Sequence, residues 1–367
     1  MTAKPRDILK TPLILPCGAR LANRLAKSAM SENLAGVDHS PTPLHVRLYE
    51  KWANGGIGLC ITGNIMVDAA ALGEPRNVVV EDETFLDPLR NWAAAGTTNK
   101  THLWAQLNHP GKQSPKALSE EPVAPSAIGF SGALQKFFNP PRALSEEEIK
   151  DLIQRFANTA KIVKKAGFTG VEIHGAHGYL VSQFLSPKHN QRTDDWGGTP
   201  ENRMRFVLEV YRAIRKAVGK KFPIGIKLNS SDFMHGGFTE EESIAVAKAL
   251  ADDGIDLIEI SGGTYERPAM AGLPENKKAS DAEAYFIAYA EKIRDQVKTP
   301  LMITGGFRTA AGMAHAVAKT ILIWWAWPGP AIDPDLPKKI LSGEDYVSAV
   351  KPLTTGLSAL TKWRFWK

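Results

Sequence analysis

Eight short apolar runs, each followed by a helical pattern, recur from one end of the chain to the other. They occupy residues 24–30, 57–63, 102–107, 170–174, 224–229, 257–261, 301–304 and 321–325. Near-continuous apolar strands separated by helices read as a parallel sheet buried on both faces. Eight such units in 367 residues predict an α/β fold, a closed (β/α)8 TIM barrel more readily than an open sheet. No low-complexity linker or break in composition interrupts the alternation, so one domain is expected over residues 1–367. The stretch 109–141 is long for a βα loop and is expected to be a lid or hairpin excursion. Residues 342–367 are expected to form a C-terminal helical tail.

The helices carry their own boundaries. Ser145 with Glu148 forms a capping box ahead of an apolar face of Ile149, Leu152, Ile153, Phe156 and Val163. Thr239 with Glu242, and Ser280 with Glu283, repeat the box. Pro200 suits a first helical position behind Thr199. Gly167 and Gly254 are placed to end helices before the next strand.

Charge and cysteine content narrow the function. The formal charge is +6 and the basic residues are scattered, which suits a small anionic ligand and argues against nucleic acid. No apolar run is long enough to span a membrane, and the N-terminus lacks a signal-like apolar core. Two cysteines, Cys17 and Cys60, cannot ligate an iron–sulfur cluster or build a cysteine-rich zinc site. Free thiols in a cytoplasmic protein are the expectation. A homo-oligomer is left open.

In a barrel of this kind the chemistry gathers at the C-terminal strand ends. The strongest signal there is His174-x-x-His177-x-Tyr179. Two imidazoles just past a strand can aim N–H donors at one oxygen, and the tyrosine can offer a proton. Satisfied structural histidines beside a packed tyrosine are the alternative. A zinc site lacks a third ligand at recognisable spacing. Gly305-Gly306-Phe307-Arg308 can bring backbone N–H groups to a phosphate, at the loop where barrels commonly bind one. Lys227, in the apolar run "IGIKL", needs a partner if buried. It could pair with Glu172 or Glu259, or meet an anionic ligand at the barrel mouth.

The segment "AGFTGVEIHGAHGYLVSQFLSPKHNQRTDDWGGTPENRMRF" closely resembles the signature of the Old Yellow Enzyme family of FMN-dependent ene-reductases. "LANRLAKSAMSE", "GGIGLCITGNIMVD", "WAQLNHPGKQS", "TGGFRT" and "DPDLPKKIL" resemble its other blocks, in order. The resemblance implies FMN at the C-terminal mouth of the barrel and NAD(P)H as reductant. Ser28, Ala29 and Met30 would line the flavin, Ser31 would tune its potential, and Asn64 would meet it from the second-strand loop. Gln106 would pair with the pyrimidine edge. Lys227 would stand beside the N1/O2 locus as a point charge where many members have arginine. Gly305, Gly306 and Arg308 would serve the phosphate. Hydride would pass through flavin N5 to the β-carbon of an α,β-unsaturated carbonyl. His174 and His177 would hold the carbonyl oxygen and Tyr179 would protonate the α-carbon. A non-redox sugar-phosphate barrel of aldolase or isomerase type, and a degenerate, flavin-poor binding barrel, are the competing readings.

The eighth strand departs from the family. There the resemblance implies a block near D-L-V-G-L-A-R-P, whose arginine helps hold the FMN phosphate. Here "ILIWWAWPGP" precedes Asp333-Pro334-Asp335-Leu336-Pro337, with no arginine or lysine between Lys319 and Lys338. Codons for Trp-Trp-Ala-Trp-Pro-Gly-Pro, read one base earlier with permitted third bases, spell Val-Gly-Leu-Ala-Arg-Pro. The stretch is therefore either a remodelled eighth strand or the family block in a shifted frame.

Overall fold

The computed structural model describes residues 4–266, 279–304, 307, 309–319, 322–324 and 333–344. Eight parallel strands form a ring: β1 (Leu25–Lys27), β2 (Leu59–Met66), β3 (His102–Asn108), β4 (Gly170–Gly175), β5 (Ile224–Asn229), β6 (Leu257–Ser261), β7 (Leu301–Ile303) and β8 (Leu322–Trp324). The ring closes where β1 pairs with both β8 and β2, Ile323 opposite Leu25 and Ala26 opposite Leu59. Every expected strand is present. The second runs three residues further than its apolar run suggested, so Asn64 lies inside it. The register against β3 shifts between Ile61 and Asn64, and the Gly63 N–H turns aside to the Glu32 carboxylate at 3.1 Å.

Around the barrel lie α1 (Pro43–Asn54), α2 (Leu86–Gly96), α3 (Glu146–Ala166), the short α4 (Leu180–Leu185), α5 (Pro200–Val218), α6 (Glu240–Asp252), α7 (Ala279–Arg294), α8 (Ala310–Lys319) and α9 (Leu336–Ser342). Helix α3 begins as its sequence dictates. The Glu148 N–H donates to Ser145 Oγ at 3.2 Å and the Ser145 N–H donates to Glu148 Oε2 at 2.8 Å, a cap worth ~1 kcal/mol. Its expected apolar face is buried against the barrel, and Gly167, at φ 104°, ends it. The Thr239–Glu242 box opens α6 and Pro200 follows the Thr199 cap of α5. The side chains of Ser280 and Glu283 lie outside the described residues.

Alternation along the strands sorts the barrel interior into levels. The lower level is apolar: Ala26, Leu59, Ile61, Trp104, Leu257 and Met302 form one buried cluster with Leu13, Leu15 and Leu21 of the N-terminal segment, which stops the bottom of the barrel. Trp104 fits because its neighbours have no side chain. A Cβ on Gly170 would fall on its pyrrole ring, and one on Gly225 would lie 2.9 Å from Cζ3. Above this floor the inward positions turn polar.

The segment 109–141 is drawn together by two local pairings. Pro115 bridges to Phe138, and Val123–Ala124 pairs with Arg142–Ala143. Cys17 and Cys60 are both free thiols. No helix among the described residues is long and apolar enough to cross a membrane. The proposed tail beyond residue 344 lies outside the described residues.

Candidate active site

The polar level of the barrel contains Ser28, Gln106, Glu172, Lys227, Glu259 and Thr304, all buried. The ammonium of Lys227 donates to Ser28 Oγ at 2.6 Å and faces Glu259 Oε1 at 3.2 Å. Glu259 Oε1 also accepts from Ser28 at 2.8 Å and from the Thr304 hydroxyl. The Gln106 amide donates to Glu172 Oε1 at 2.7 Å. Burial, then the neighbouring Glu259, push the Glu172 carboxyl well above the usual carboxylate range, with Lys227 opposing. Of the two partners expected for Lys227, the structure selects Glu259.

The histidine pair and the tyrosine crown this network. Their rings pack edge to face: His174 lies 5.1 Å from His177 and 4.7 Å from Tyr179, centroid to centroid. The Ala176 N–H donates to His174 Nδ1 at 3.3 Å, which assigns the proton of a neutral ring to Nε2. His177 Nε2 lies 2.7 Å from Ser261 Oγ. Burial, then His177 and Lys227, hold His174 well below the ordinary histidine value. Burial and Lys227 bring His177 down to about 3. Both rings are neutral at pH 7, so they can hydrogen-bond without carrying charge.

Local strain aims His177. Its φ is +60°, followed by Gly178 at +78°. A left-handed residue that carries a Cβ costs about 1–2 kcal/mol. The conformation is held by its N–H donating to Asn229 Oδ1 at 3.1 Å and by a bridge to Thr264. Asn229 in turn donates to the Gly263 carbonyl at 2.9 Å. Gly178 has no room for a side chain, since a Cβ would meet Gln113 Oε1 at 2.7 Å. Tyr179 is 7% exposed, and its hydroxyl lies 3.0 Å from that of Tyr265. Burial, then Tyr265 and Glu74, push the Tyr179 phenol well above its ordinary value. It keeps its proton at neutral pH.

The residues expected to meet a cofactor divide by depth. Ser28, Gln106 and Lys227 lie in the buried network, whereas Ala29, Met30 and Asn64 are half-buried and Ser31 is exposed. Ser31 hydrogen-bonds the Glu74 carboxyl. Gly305, Gly306 and Arg308 lie outside the described residues. Beside this network the buried Asn64 Oδ1 has no partner, which is uncommon for a buried polar atom. An orphaned amide carbonyl, an amide side chain and a buried cation make a donor and acceptor set that suits the pyrimidine edge of a flavin. Sequence reasoning did not single out Tyr265 or Glu74 as functional. Tyr265 had a signal: it lies four residues past the end of β6, on the same rim as the histidines.

Comparison with known proteins identifies the relatives of this chain. Residues 11–345 match the model of the NADH:flavin oxidoreductase / NADH oxidase family. An NADH-dependent flavin oxidoreductase of Talaromyces variabilis is 38% identical over 361 residues, covering 91% of this chain and 86% of that protein. One from Neonectria is 38% identical over 89% of this chain, but this chain spans only 46% of its length. Among solved structures, an old yellow enzyme homologue from Zymomonas mobilis superposes with TM-score 0.77 at 26% identity, over 96% of both chains. A 2-naphthoyl-CoA reductase complex gives TM-score 0.84 at 28% identity, over 92% of this chain and 53% of that one.

Proposed function

The chain belongs to the NADH:flavin oxidoreductase / NADH oxidase family, and from that membership we propose that it reduces the activated double bond of an α,β-unsaturated carbonyl. FMN is the flavin and NAD(P)H the reductant of this reading. Bound FMN would supply the two-electron chemistry, taking hydride from NAD(P)H and giving it to the β-carbon of the substrate. The chain's own residues do the rest.

One observation carries the reading: two neutral histidines and a protonated tyrosine converge beside a buried cation. His174 offers its Nε2–H to the carbonyl oxygen, and His177 stands beside it on the same rim. Donors already fixed in a dry site stabilise the charge that develops on that oxygen without reorganising. Tyr179, with its phenol shifted upward, holds the proton that the α-carbon needs. Lys227 would supply positive charge to balance that of the reduced flavin, and Gln106 and Asn64 would hold its pyrimidine edge. The family match displaces the non-redox sugar-phosphate reading.

Stopped-flow kinetics of Tyr179→Phe test the assignment. Reduction by NADH should be unchanged, while reoxidation by 2-cyclohexen-1-one should slow by roughly 10²–10⁴-fold, the usual span of general-acid catalysis. Equal reoxidation rates in both proteins would remove Tyr179 as the acid.

A further inference from the structure

Tyr265 lies where the segment after β6 passes over the catalytic rim. Its hydroxyl is 3.0 Å from that of Tyr179, and the two rings meet edge to face with centroids 5.9 Å apart. Tyr265 is the less buried of the pair. The chain on each side of it is held. Thr264 bridges to His177, and the Gly263 carbonyl accepts from Asn229. Glu266 lies 3.6 Å from the buried ammonium of Lys112 and 3.3 Å from His189 Nε2, while Lys112 Nζ is 3.1 Å from His189 Nδ1. Lys112 belongs to the segment after β3 and His189 to the segment after α4. Contacts to His177, Asn229, Lys112 and His189 therefore fix the backbone around this one hydroxyl, and the Phe138 ring lies 6.2 Å from that of Tyr265, centroid to centroid.

We propose that Tyr265 is a positioning and proton-relay residue that hands a proton to Tyr179 after Tyr179 has protonated the substrate; this rests on Tyr179 being the acid. In the first transfer the Tyr179 O–H bond breaks as a C–H bond forms at the α-carbon. In the second the Tyr265 O–H bond breaks as the Tyr179 O–H bond re-forms, and the negative charge moves one residue outward. Solvent then reprotonates Tyr265. No oxidant or reductant beyond the hydride donor is required.

Geometry sets the direction of transfer. The two hydroxyls lie 3.0 Å apart, and Tyr265 is the one nearer to solvent. Burial pushes both phenols above their ordinary value, so each holds its proton until its partner has lost one.

The experiment compares the FMN-loaded wild type with Tyr265→Phe and Tyr179→Phe. Reoxidation of the reduced enzymes by 2-cyclohexen-1-one is followed in mixtures of H2O and D2O. Tyr265→Phe should slow reoxidation roughly tenfold, leave reduction by NADH unchanged, and straighten a curved proton inventory. Labelling with ¹³Cζ-tyrosine gives a readout apart from turnover: the Tyr179 resonance should shift in Tyr265→Phe. Glu266→Gln, which weakens the hold on this segment without removing the hydroxyl, should slow the same step less. If Tyr179→Phe is slow while Tyr265→Phe matches wild type in rate and inventory, the relay falls and the acid assignment stands. If Tyr179→Phe is as fast as wild type, both fall. An unmoved Tyr179 resonance in Tyr265→Phe also overturns the relay.

Discussion

Lys227 and Glu259 stand directly opposite each other on neighbouring strands, with Nζ 3.2 Å from Oε1. Both are buried inside the barrel. A lysine at this depth is tolerable only because the carboxylate and the Ser28 hydroxyl answer it. The pair thereby keeps a cation beside the histidines, with Lys227 opposite His174 on the other neighbouring strand.

Removing one member should expose that dependence. Lys227→Met leaves Glu259 buried and uncompensated, and is expected to lower the unfolding free energy by about 3–5 kcal/mol in urea titrations. The double variant Lys227→Met with Glu259→Leu should recover part of the loss, because it removes both charges. A double variant no more stable than the single one would show that the pair is not the source of the cost.

The Trp104 niche predicts a steric coupling. Gly170→Ala places a Cβ on the indole ring and should cost ~1–3 kcal/mol, the usual range for overpacking a core. Trp104→Leu should also destabilise, by leaving a cavity. The two together should cost less than their sum. Strict additivity in chemical unfolding would refute the packing argument.

Buried neutral histidines set an acid limit. Burial, and then Lys112, bring His189 down to about 3, against ~6.5 in an unfolded chain. Its contribution to stability is complete above about pH 6.5 and is lost as the pH falls towards 3, because the unfolded state binds the proton first. The slope reaches up to about 1.4 kcal/mol per pH unit for one such group. His177, brought down to about 3, acts in the same window, and His109, brought down to about 4, in its upper part. His189→Gln should flatten the decline of the urea midpoint between pH 6 and pH 4, and an unchanged decline would sink the assignment.

The eighth strand predicts a cofactor affinity. The chain as written has no cation between Lys319 and Lys338. Its FMN dissociation constant is expected to fall about ten- to hundredfold when Val-Gly-Leu-Ala-Arg-Pro replaces residues 325–330. That is the effect of one charge-assisted bond of roughly 1.5–3 kcal/mol. Fluorescence titration with FMN measures it, and equal affinities would mean that the phosphate is held elsewhere.

Much of this molecule was legible in advance. The eight apolar runs, the Ser145–Glu148 and Thr239–Glu242 caps and the End-to-end alternation of strand and helix are local patterns, and each appears in place. The His174, His177 and Tyr179 group was legible because all three residues lie within six positions. Tyr265 was not, because nothing local ties it to Tyr179.

The choice between Glu172 and Glu259 as the partner of Lys227 marks the boundary. Sequence by itself determined that a lysine in an apolar run would need a partner, with Glu172 and Glu259 as the candidate carboxylates. Only the tertiary structure decided who meets whom. In the closed ring Lys227 falls opposite Glu259, whereas Gly225 falls opposite Glu172. That register is set by how eight strands stagger to close on one another, a property of the whole ring that no single strand encodes.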